Sequence, residues 1–329
     1  MEKKFDNKFK LLIICVYIII LIFQKKFIFF FKQNIVDKIV SYFNGDNEII
    51  KKQKICVCTL GKEENLYIRE YVQHYKKYGV DKIFLYDNNN INGERFETMI
   101  GDYIEKGFVK LLNWRGKKRA LFRIMNDCYK KNYKLYDWLI FYEMDEFIHL
   151  SNYSNIKLFL NEPKFNKCNL IYLNLICHTD NNLLFYENKS LSERFPETVP
   201  LEKYGGQSLE IKCIMRGHIP GIRINNAHGC NYNKAYKNCN GFGNLYKHNN
   251  RFATEKDYKY YYIDHYYCKS TEEFINKINK GDAMFRSPRY TMHRIWKYFS
   301  QSNFTEEKKM MIENRTGLNL TFFMNYSFL

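Results

Sequence analysis

The chain has 329 residues, of which 46% are hydrophobic and 18% aromatic, so its main body can bury a large core and is not intrinsically disordered. Fifty-two Lys and Arg residues against 35 Asp and Glu residues give a formal net charge of +17. The basic residues are scattered, and no zinc-finger, RNP-type or helix-turn-helix signature accompanies them. We therefore expect no nucleic-acid partner.

The N-terminal segment predicts a membrane anchor at 11–31, after a short tail at 1–10. Its first apolar run, 11–23, reaches only ~20 Å of a ~30 Å hydrocarbon core, so spanning also needs the second run at 27–31. No small-residue cleavage site follows, which favours an uncleaved anchor over a removed signal peptide. An interfacial anchor is the alternative. The short tail favours a single-pass protein with a lumenal domain, Golgi-like in a eukaryote, although Lys residues at both ends leave the orientation open.

Strands and helices alternate after a polar stem at 32–53. Strands are predicted at 54–60, 81–87, 108–114 and 138–142, and helices at 63–78 and 117–131. This alternation predicts an α/β domain whose mostly parallel sheet is covered by helices on both faces. We expect this domain to occupy 54–300 and to be followed by a C-terminal helix and tail at 301–329.

Acidic and amide side chains follow three of these strands. They are Glu63 and Glu64, then Asp87 and Asn88, then Glu143 and Asp145. Ligands of such sheets bind at the carboxyl ends of the strands. An acid-x-acid pair there offers two oxygen ligands to a hard divalent ion that also holds a diphosphate. Taken alone, the same pair is also typical of a charged turn after a core strand.

Four stretches between Cys56 and Ala283 succeed one another in a specific order. They are CTLGKEENLYIREYVQHYKKYGVDKIFLYDNN, NDCYKK with DWLIFYEMDEF, LSERF, and IDHYYCKSTEEFINKINKGDA. In this order the chain resembles the GT-A glycosyltransferases, and within them glycosyltransferase family 92 and its family-2-like relatives. The resemblance implies a GT-A-type, Rossmann-like fold. It also implies that the protein moves a hexose from a nucleotide-diphosphate sugar to a hydroxyl of a glycan, glycoprotein or glycolipid, with inversion.

The resemblance also implies a bound Mn²⁺ or Mg²⁺, which would neutralise the departing diphosphate as a Lewis acid. Asp145 would hold the ion most directly, and Glu143 would bind the ion or the donor ribose. Glu143 departs from the family pattern, which has Asp here. His265 is the expected third ligand and His228 the second choice, with an ordinary packing or surface His as the alternative for either.

A UDP-sugar, UDP-galactose among them, is the expected donor. The predicted donor-binding residues are Glu64, Asp87, Asn88, Glu143 and Lys269. Lys269 would reach the diphosphate, with a solvated Lys as the alternative. Asp87 suits the uracil edge or the ribose, with a turn-capping role as the alternative. Glu63-Glu64 replaces an Asn-Glu pair of the family.

An inverting transfer needs a carboxylate that takes the proton of the acceptor hydroxyl. The candidates are Asp180, Glu193 and Glu210, and their spacing does not separate them. Glu193 gains from its family-like Glu-Arg-Phe context, although Glu193 and Arg194 would also make a structural ion pair. A non-catalytic nucleotide-sugar-binding or carbohydrate-binding relative, with Glu143 as a sign of decay, is the alternative function.

Two further patterns concern structure. Glu70 and His74 lie four residues apart on one helical face and predict support of the helix against the sheet. The ten Cys residues include no CxxC pair. Four cysteines lie late in the chain: Cys213, Cys230, Cys239 and Cys268. They could form disulfides with one another if the domain is lumenal, and ordinary buried thiols are the alternative.

Overall fold

The computed structural model describes residues 53–200, 210–225, 236–245, 260–281 and 288–321. Nine strands in these ranges form one sheet. The strands are β1 (Ile55–Gly61), β2 (Lys82–Asp87), β3 (Val109–Asn113), β4 (Trp138–Ile140), β5 (Glu146–Leu150), β6 (Leu170–Cys177), β7 (Ile211–Arg216), β8 (Asn238–Asn240) and β9 (Tyr261–His265).

The helices that accompany these strands lie between them and at the end of the chain. They are α1 (Ile68–Lys77), α2 (Glu97–Glu105), α3 (Leu121–Asn132), α4 (Ile156–Leu160), α5 (Leu191–Arg194), α6 (Thr271–Asn279), α7 (Pro288–Gln301) and α8 (Glu306–Thr316). A 3₁₀ turn covers Pro163–Phe165. The strand order in the sheet is β3-β2-β1-β4-β7-β6-β9-β5, with β8 beside β6.

The first four strands form the parallel half of the sheet, as the sequence predicts. β1 pairs in parallel with β2 and β4, and β2 pairs in parallel with β3. In this register Gly61 lies opposite Asp87, and Asp87 lies opposite Asn113. The carboxyl ends of the first three strands therefore meet at one edge of the sheet.

The other half of the sheet is mixed, with β6 parallel to β8 and β9, so five of the eight strand pairs in the described ranges are parallel and the predicted mostly parallel sheet contains three antiparallel pairs. β7 runs antiparallel to β4 and β6, and β5 runs antiparallel to β9. A parallel neighbour requires a crossover of a dozen or more residues. Only five residues, 141–145, separate β4 from β5, so β5 pairs at the far edge of the sheet instead.

Helices cover both faces of the sheet, as expected for this class. One face carries α1 through Ile68, Tyr71, Val72 and Tyr75, which pack with Ile55 and Val57 of β1. The other face carries α3 through Leu121, Ile124, Met125 and Cys128, which pack with Cys56 and Cys58. Alternate residues of β1 thus enter two separate cores, as the period of a strand requires.

The C-terminal helices form a third core. Phe274 of α6 stacks on Tyr298 of α7 at a ring distance of 4.1 Å, and Ile312 of α8 is fully buried beside them. The predicted C-terminal segment therefore contains α8, which packs against α6 and α7. No helix in the described ranges is both long and apolar enough to cross a bilayer. The predicted anchor at 11–31 lies outside those ranges.

Two disulfides join elements that are distant in sequence. They are Cys58–Cys128, between β1 and α3, and Cys168–Cys239, between the start of β6 and β8. Of the four late cysteines that could pair, Cys239 forms its disulfide with Cys168, which lies outside that group. Cys213 and Cys268 are buried thiols, and Cys230 lies outside the described residues.

Candidate active site

The turn after β4 presents the predicted metal motif. Its backbone closes through the Glu146 N–H, which donates to the Glu143 carbonyl at 3.1 Å. The Glu143 N–H in turn donates to Oε2 of Glu146 at 2.9 Å. Between these residues stands Asp145, whose carbonyl accepts from the Tyr266 N–H at 2.9 Å. The turn is therefore fixed both by its own residues and by the end of β9.

The pairing of β5 with β9 brings His265 to this turn. Glu146 lies opposite His265 in the antiparallel ladder. As a result, Nε2 of His265 lies 3.8 Å from Oδ2 of Asp145, although the two residues are 120 positions apart. The structure thus brings together Asp145, expected to hold the ion most directly, and His265, the expected third ligand. His228 lies outside the described residues.

One candidate metal site is present in the described part of the chain. Donor atoms of Asp145, Glu146 and His265 all lie within 4.8 Å of one another. Carboxylate oxygens suit Mn²⁺ and Mg²⁺, and an imidazole nitrogen favours Mn²⁺ of the two. Sequence reasoning missed Glu146, although its place directly after the acid-x-acid pair was a usable signal.

The protonation state of His265 fits the role of a ligand. Burial lowers the pKa of His265 to about 3, so the imidazole is neutral at pH 7. Its Nδ1 faces Sγ of Cys177 at 3.6 Å, and its Nε2 faces Asp145. Burial alone would raise the pKa of Asp145, but Lys277 and other positive neighbours hold that pKa well below its usual value. The pair therefore offers one nitrogen lone pair and one ionised carboxylate.

Glu143 and Glu146 share a buried lysine. Nζ of Lys212, a residue with a side chain only 2% exposed, lies 2.7 Å from Oε1 of Glu143 and 3.0 Å from Oε1 of Glu146. Because Oε2 of Glu146 also accepts the Glu143 N–H, both oxygens of Glu146 are engaged. Glu143 is half-exposed. It is not part of the group of three possible metal ligands, Asp145, Glu146 and His265.

The acidic edge of the sheet is neutralised by lysines, of which sequence reasoning identified only Lys269. The closest ion pairs are Glu143–Lys212, Glu146–Lys212, Asp145–Lys277, Glu64–Lys280, Glu64–Lys269 and Glu210–Lys297. We call the five lysines of these pairs the lysine ring. They are Lys212, Lys269, Lys277, Lys280 and Lys297. Their side chains are at most 20% exposed. Buried ammonium groups of this kind are suited to a diphosphate.

Two predicted donor-binding residues lie together at the end of β1. Lys269 Nζ is 3.8 Å from Oε2 of Glu64 and 3.4 Å from the centre of the Tyr67 ring. Burial lowers the pKa of Lys269. Oε2 of Glu64 is buried and has no hydrogen-bond partner in the described part of the chain. An unsatisfied buried acceptor at this place suits a hydroxyl group of a ligand.

Asp87 and Asn88 serve the loops after β2 and β3. Oδ2 of Asp87 pairs with Nη1 of Arg115 at 2.5 Å, with both side chains less than 10% exposed. Nδ2 of Asn88 donates to the carbonyls of Trp114 and Lys117. The turn-holding alternative thus describes their contacts better than donor binding does. Sequence reasoning missed Arg115, because nothing in its own segment marks it as the partner of Asp87.

The candidate bases differ in their surroundings. Asp180 is buried, with Oδ2 bonded to Nζ of Lys308 at 2.6 Å and to the Tyr298 hydroxyl at 2.8 Å. Glu193 is exposed and closes a capping box with Ser190 at the start of α5. Neither Asp180 nor Glu193 contacts the possible metal ligands Asp145, Glu146 and His265 in the described part of the chain. The contacts that the two carboxylates do make are structural.

Arg194 does not pair with Glu193. It pairs with Glu273 of α6 at 2.6 Å, and both side chains are only 1% exposed. This pair joins the LSERF stretch to the TEEF stretch. His74 supports its helix against the sheet as expected, because its Nε2 bonds the Ile148 carbonyl of β5, whereas Glu70 accepts the Leu191 N–H at the start of α5.

A small cleft opens beside Glu143 and Lys212, next to the possible metal ligands. It lies between the ends of β1 and β4 and the start of α3, and its lining includes Leu60, Leu121, Phe141, Glu143 and Lys212. The cleft therefore places Glu143 and one lysine of the ring, Lys212, against an apolar wall.

Comparison with known proteins gives the family. A sequence profile of glycosyltransferase family 92 matches residues 51–314. A glycosyltransferase family 92 protein of Ricinus communis is 25% identical over 132 residues, which are 39% of this chain and 23% of that protein. One of Oryza sativa subsp. japonica is 29% identical over 102 residues, which are 30% of this chain and 17% of that protein. The matched stretches span less than a quarter of either relative.

Two solved structures of low identity also match. Residues 1–349 of S. aureus TarS, in complex with UDP-GlcNAc, match with 11% identity and a TM-score of 0.34 over 80% of each chain. The mannosyltransferase PcManGT from Pyrobaculum calidifontis, in complex with GDP-Man and Mn²⁺, matches with 7% identity and a TM-score of 0.38 over 80% of this chain and 73% of that one. The profile, however, covers most of the chain and all four motif stretches. The predicted glycosyltransferase is thus confirmed at the level of the family, and the chain belongs to glycosyltransferase family 92.

Proposed function

We propose that this protein transfers a hexose from a nucleoside-diphosphate sugar, in the first place a UDP-sugar, to a hydroxyl group of a glycan or glycoconjugate. The observation that carries this proposal is the approach of Asp145 Oδ2 to His265 Nε2, 3.8 Å apart at the family motif. A carboxylate and a neutral imidazole in this arrangement, surrounded by buried lysines, are suited to a metal-bound diphosphate.

Asp145 and His265 are the residues that would hold Mn²⁺. When bound, the ion supplies Lewis-acid stabilisation of the negative charge that grows on the departing diphosphate. Glu146 fixes the turn through Lys212 and the Glu143 N–H, so it orients Asp145. These contacts keep the ligands in place before the donor arrives.

The lysine ring binds the diphosphate in this proposal. Its ammonium groups are largely removed from water, where their attraction for phosphate oxygens is stronger than at an exposed surface. Glu64, with its unsatisfied Oε2, then accepts a hydrogen bond from a donor hydroxyl. The chain thus supplies positive charge to the phosphates and an acceptor to the sugar or ribose.

Glu210 is the base that we propose for the acceptor hydroxyl. Of the three carboxylates left open by the sequence, Glu210 is the one whose charge acts on His265, and its pair with Lys297 at 2.9 Å would open before it accepts the proton. Transfer assays of Glu210→Gln and Glu193→Gln separate the two assignments. The Glu210 variant should lose transfer about a hundredfold or more, whereas the Glu193 variant should keep it. The reverse order would return the base to Glu193.

We also propose that the domain lies in the lumen, held by the anchor at 11–31. Two disulfides support this location, because such bonds persist in oxidising compartments and are rare in the cytosol. Protease protection of the full chain in sealed vesicles tests it. Protection until detergent is added agrees with a lumenal domain, and digestion of intact vesicles contradicts it.

The central experiment compares Asp145→Asn with Asp102→Asn. Asp102 is a matched control, because it is exposed on α2 and pairs with Arg69 far along the chain from the motif. Full-length protein is given UDP-, GDP- and CMP-sugars, Mn²⁺ and a glycan acceptor panel, and released nucleotide is measured. We expect transfer to fall by about a hundredfold or more in Asp145→Asn and to stay in the control.

Equal activity of the two variants would refute the metal assignment. Donor binding by the wild-type protein without release of nucleotide from any donor would instead support the non-catalytic binding protein. Failure of the metal assignment can therefore be distinguished from failure of the proposed transferase activity.

A further inference from the structure

Lys277 is bound to the carboxylate that would hold the metal ion. Its Nζ lies 2.6 Å from Oδ2 of Asp145, the same oxygen that lies 3.8 Å from Nε2 of His265. Asp145 and His265 would hold the ion together, so the ion would share this carboxylate with the ammonium group. Two positive charges on one carboxylate oxygen repel each other strongly in a site with little solvent. The ammonium group and the metal ion therefore compete for Asp145.

The backbone of Lys277 is held in a capped helix, and its ammonium group lies at the end of a flexible side chain. Its helix, α6, begins with a capping box of Ser270 and Glu273, and Glu273 is held by the buried Arg194. The tip also lies 3.4 Å from the Tyr267 carbonyl and 4.2 Å from the centre of the Tyr267 ring. With 18% of the side chain exposed, the ammonium can turn towards a ligand while the helix stays in place.

No other lysine of the ring contacts Asp145 in the described structure. Lys212 pairs with Glu143 and Glu146, Lys269 and Lys280 pair with Glu64, and Lys297 pairs with Glu210. Lys277 therefore differs from the other lysines of the ring in its partner, Asp145, and not in its charge. The effect of replacing Lys277 can be compared with the effect of replacing Lys280.

We propose that Lys277 is a resident counter-ion of Asp145, which keeps divalent metal weakly bound until a donor diphosphate draws the lysine away. This inference rests on the proposed function. The phosphate oxygens take over the ammonium group, and Asp145 is released to the ion. Donor and metal then bind with positive coupling, because each removes the obstacle to the other.

The test measures binding of Mn²⁺ alone by electron paramagnetic resonance and of UDP alone by calorimetry, on full-length protein. Lys277→Met should bind Mn²⁺ at least ~5-fold more tightly than the wild type, since the competing charge is gone. The same variant should bind UDP about tenfold more weakly, because it lacks one phosphate contact. Lys277→Gln, with a shorter polar side chain, should change both affinities in the same directions, which guards against a folding defect of either variant.

Lys280→Met is the matched control, because it removes a charge at the same end of α6 from Glu64 and not from Asp145. Its Mn²⁺ affinity should rise less than twofold. An equal rise in both variants would overturn the inference in favour of a general field effect. Unchanged Mn²⁺ affinity in Lys277→Met, with weakened affinity in Asp145→Asn, would overturn the inference alone. Unchanged Mn²⁺ affinity in Asp145→Asn would overturn the proposed metal site as well.

Discussion

Replacement of Arg194 by Met tests whether the LSERF stretch is structural. Arg194 and Glu273 form an ion pair of 2.6 Å in which both side chains are 1% exposed. Loss of one partner of a buried pair costs about 3–5 kcal/mol, because the remaining charge stays buried without compensation. Glu273 keeps hydrogen bonds from the Tyr67 hydroxyl and from Ser270, so we expect the lower end, about 3 kcal/mol.

Urea unfolding followed by circular dichroism measures this loss, and a thermal scan accompanies it. For a domain of this size about 3 kcal/mol corresponds to a melting temperature lower by roughly 6–12 °C. A double-mutant cycle with Glu273→Gln isolates the pair. Since the two residues are in contact, a coupling energy of about 1–3 kcal/mol is expected.

Glu193→Gln is the control within the same stretch. Glu193 is exposed, and Gln also closes a capping box, so its free energy of unfolding should change by less than about 0.5 kcal/mol. A cost below about 1 kcal/mol for Arg194→Met, or a larger cost for Glu193→Gln, would refute the structural role that we give to the stretch.

Three further predictions concern stability. Burial lowers the pKa of His74 to about 4, so its contribution is complete above about pH 6.5 and is lost as the pH falls through 4. Between pH 7.5 and 5 the wild-type protein should lose about 2 kcal/mol more stability in urea unfolding than His74→Phe, which keeps the pH dependence due to His265; parallel pH profiles of the two proteins would contradict this. The Cys58→Ala/Cys128→Ala double variant opens a cross-link of sequence separation 70 and should lose up to about 4 kcal/mol in the same assay, whereas an unchanged midpoint would contradict it. A Cβ at Gly217 would lie 1.8 Å from a backbone oxygen, so Gly217→Ala should cost more than about 3 kcal/mol. Gly101→Ala in α2, with open space around it, should be neutral or stabilising, and similar melting temperatures for the two variants would contradict the packing.

Residue order along the chain was enough to predict the parallel half of the sheet and the family. The strand and helix patterns from 54 to 142 depend on near neighbours along the chain, so they can be read without a structure. The family motifs likewise identify Asp145 and His265, which the structure places 3.8 Å apart. Those predictions depend on local residue order, and local order is what a sequence contains.

The partners of the charged side chains could be found only from the folded chain. Lys277 lies 132 positions from Asp145, and Lys212 lies 69 positions from Glu143. In a chain with 52 Lys and Arg residues, spacing does not single out one partner. The same applies to Asp87, whose carboxylate meets Arg115, and to Arg194, which meets Glu273 and not its neighbour Glu193. The pairing of strands and the packing of helices choose these partners, because Coulomb attraction acts through space and not along the chain.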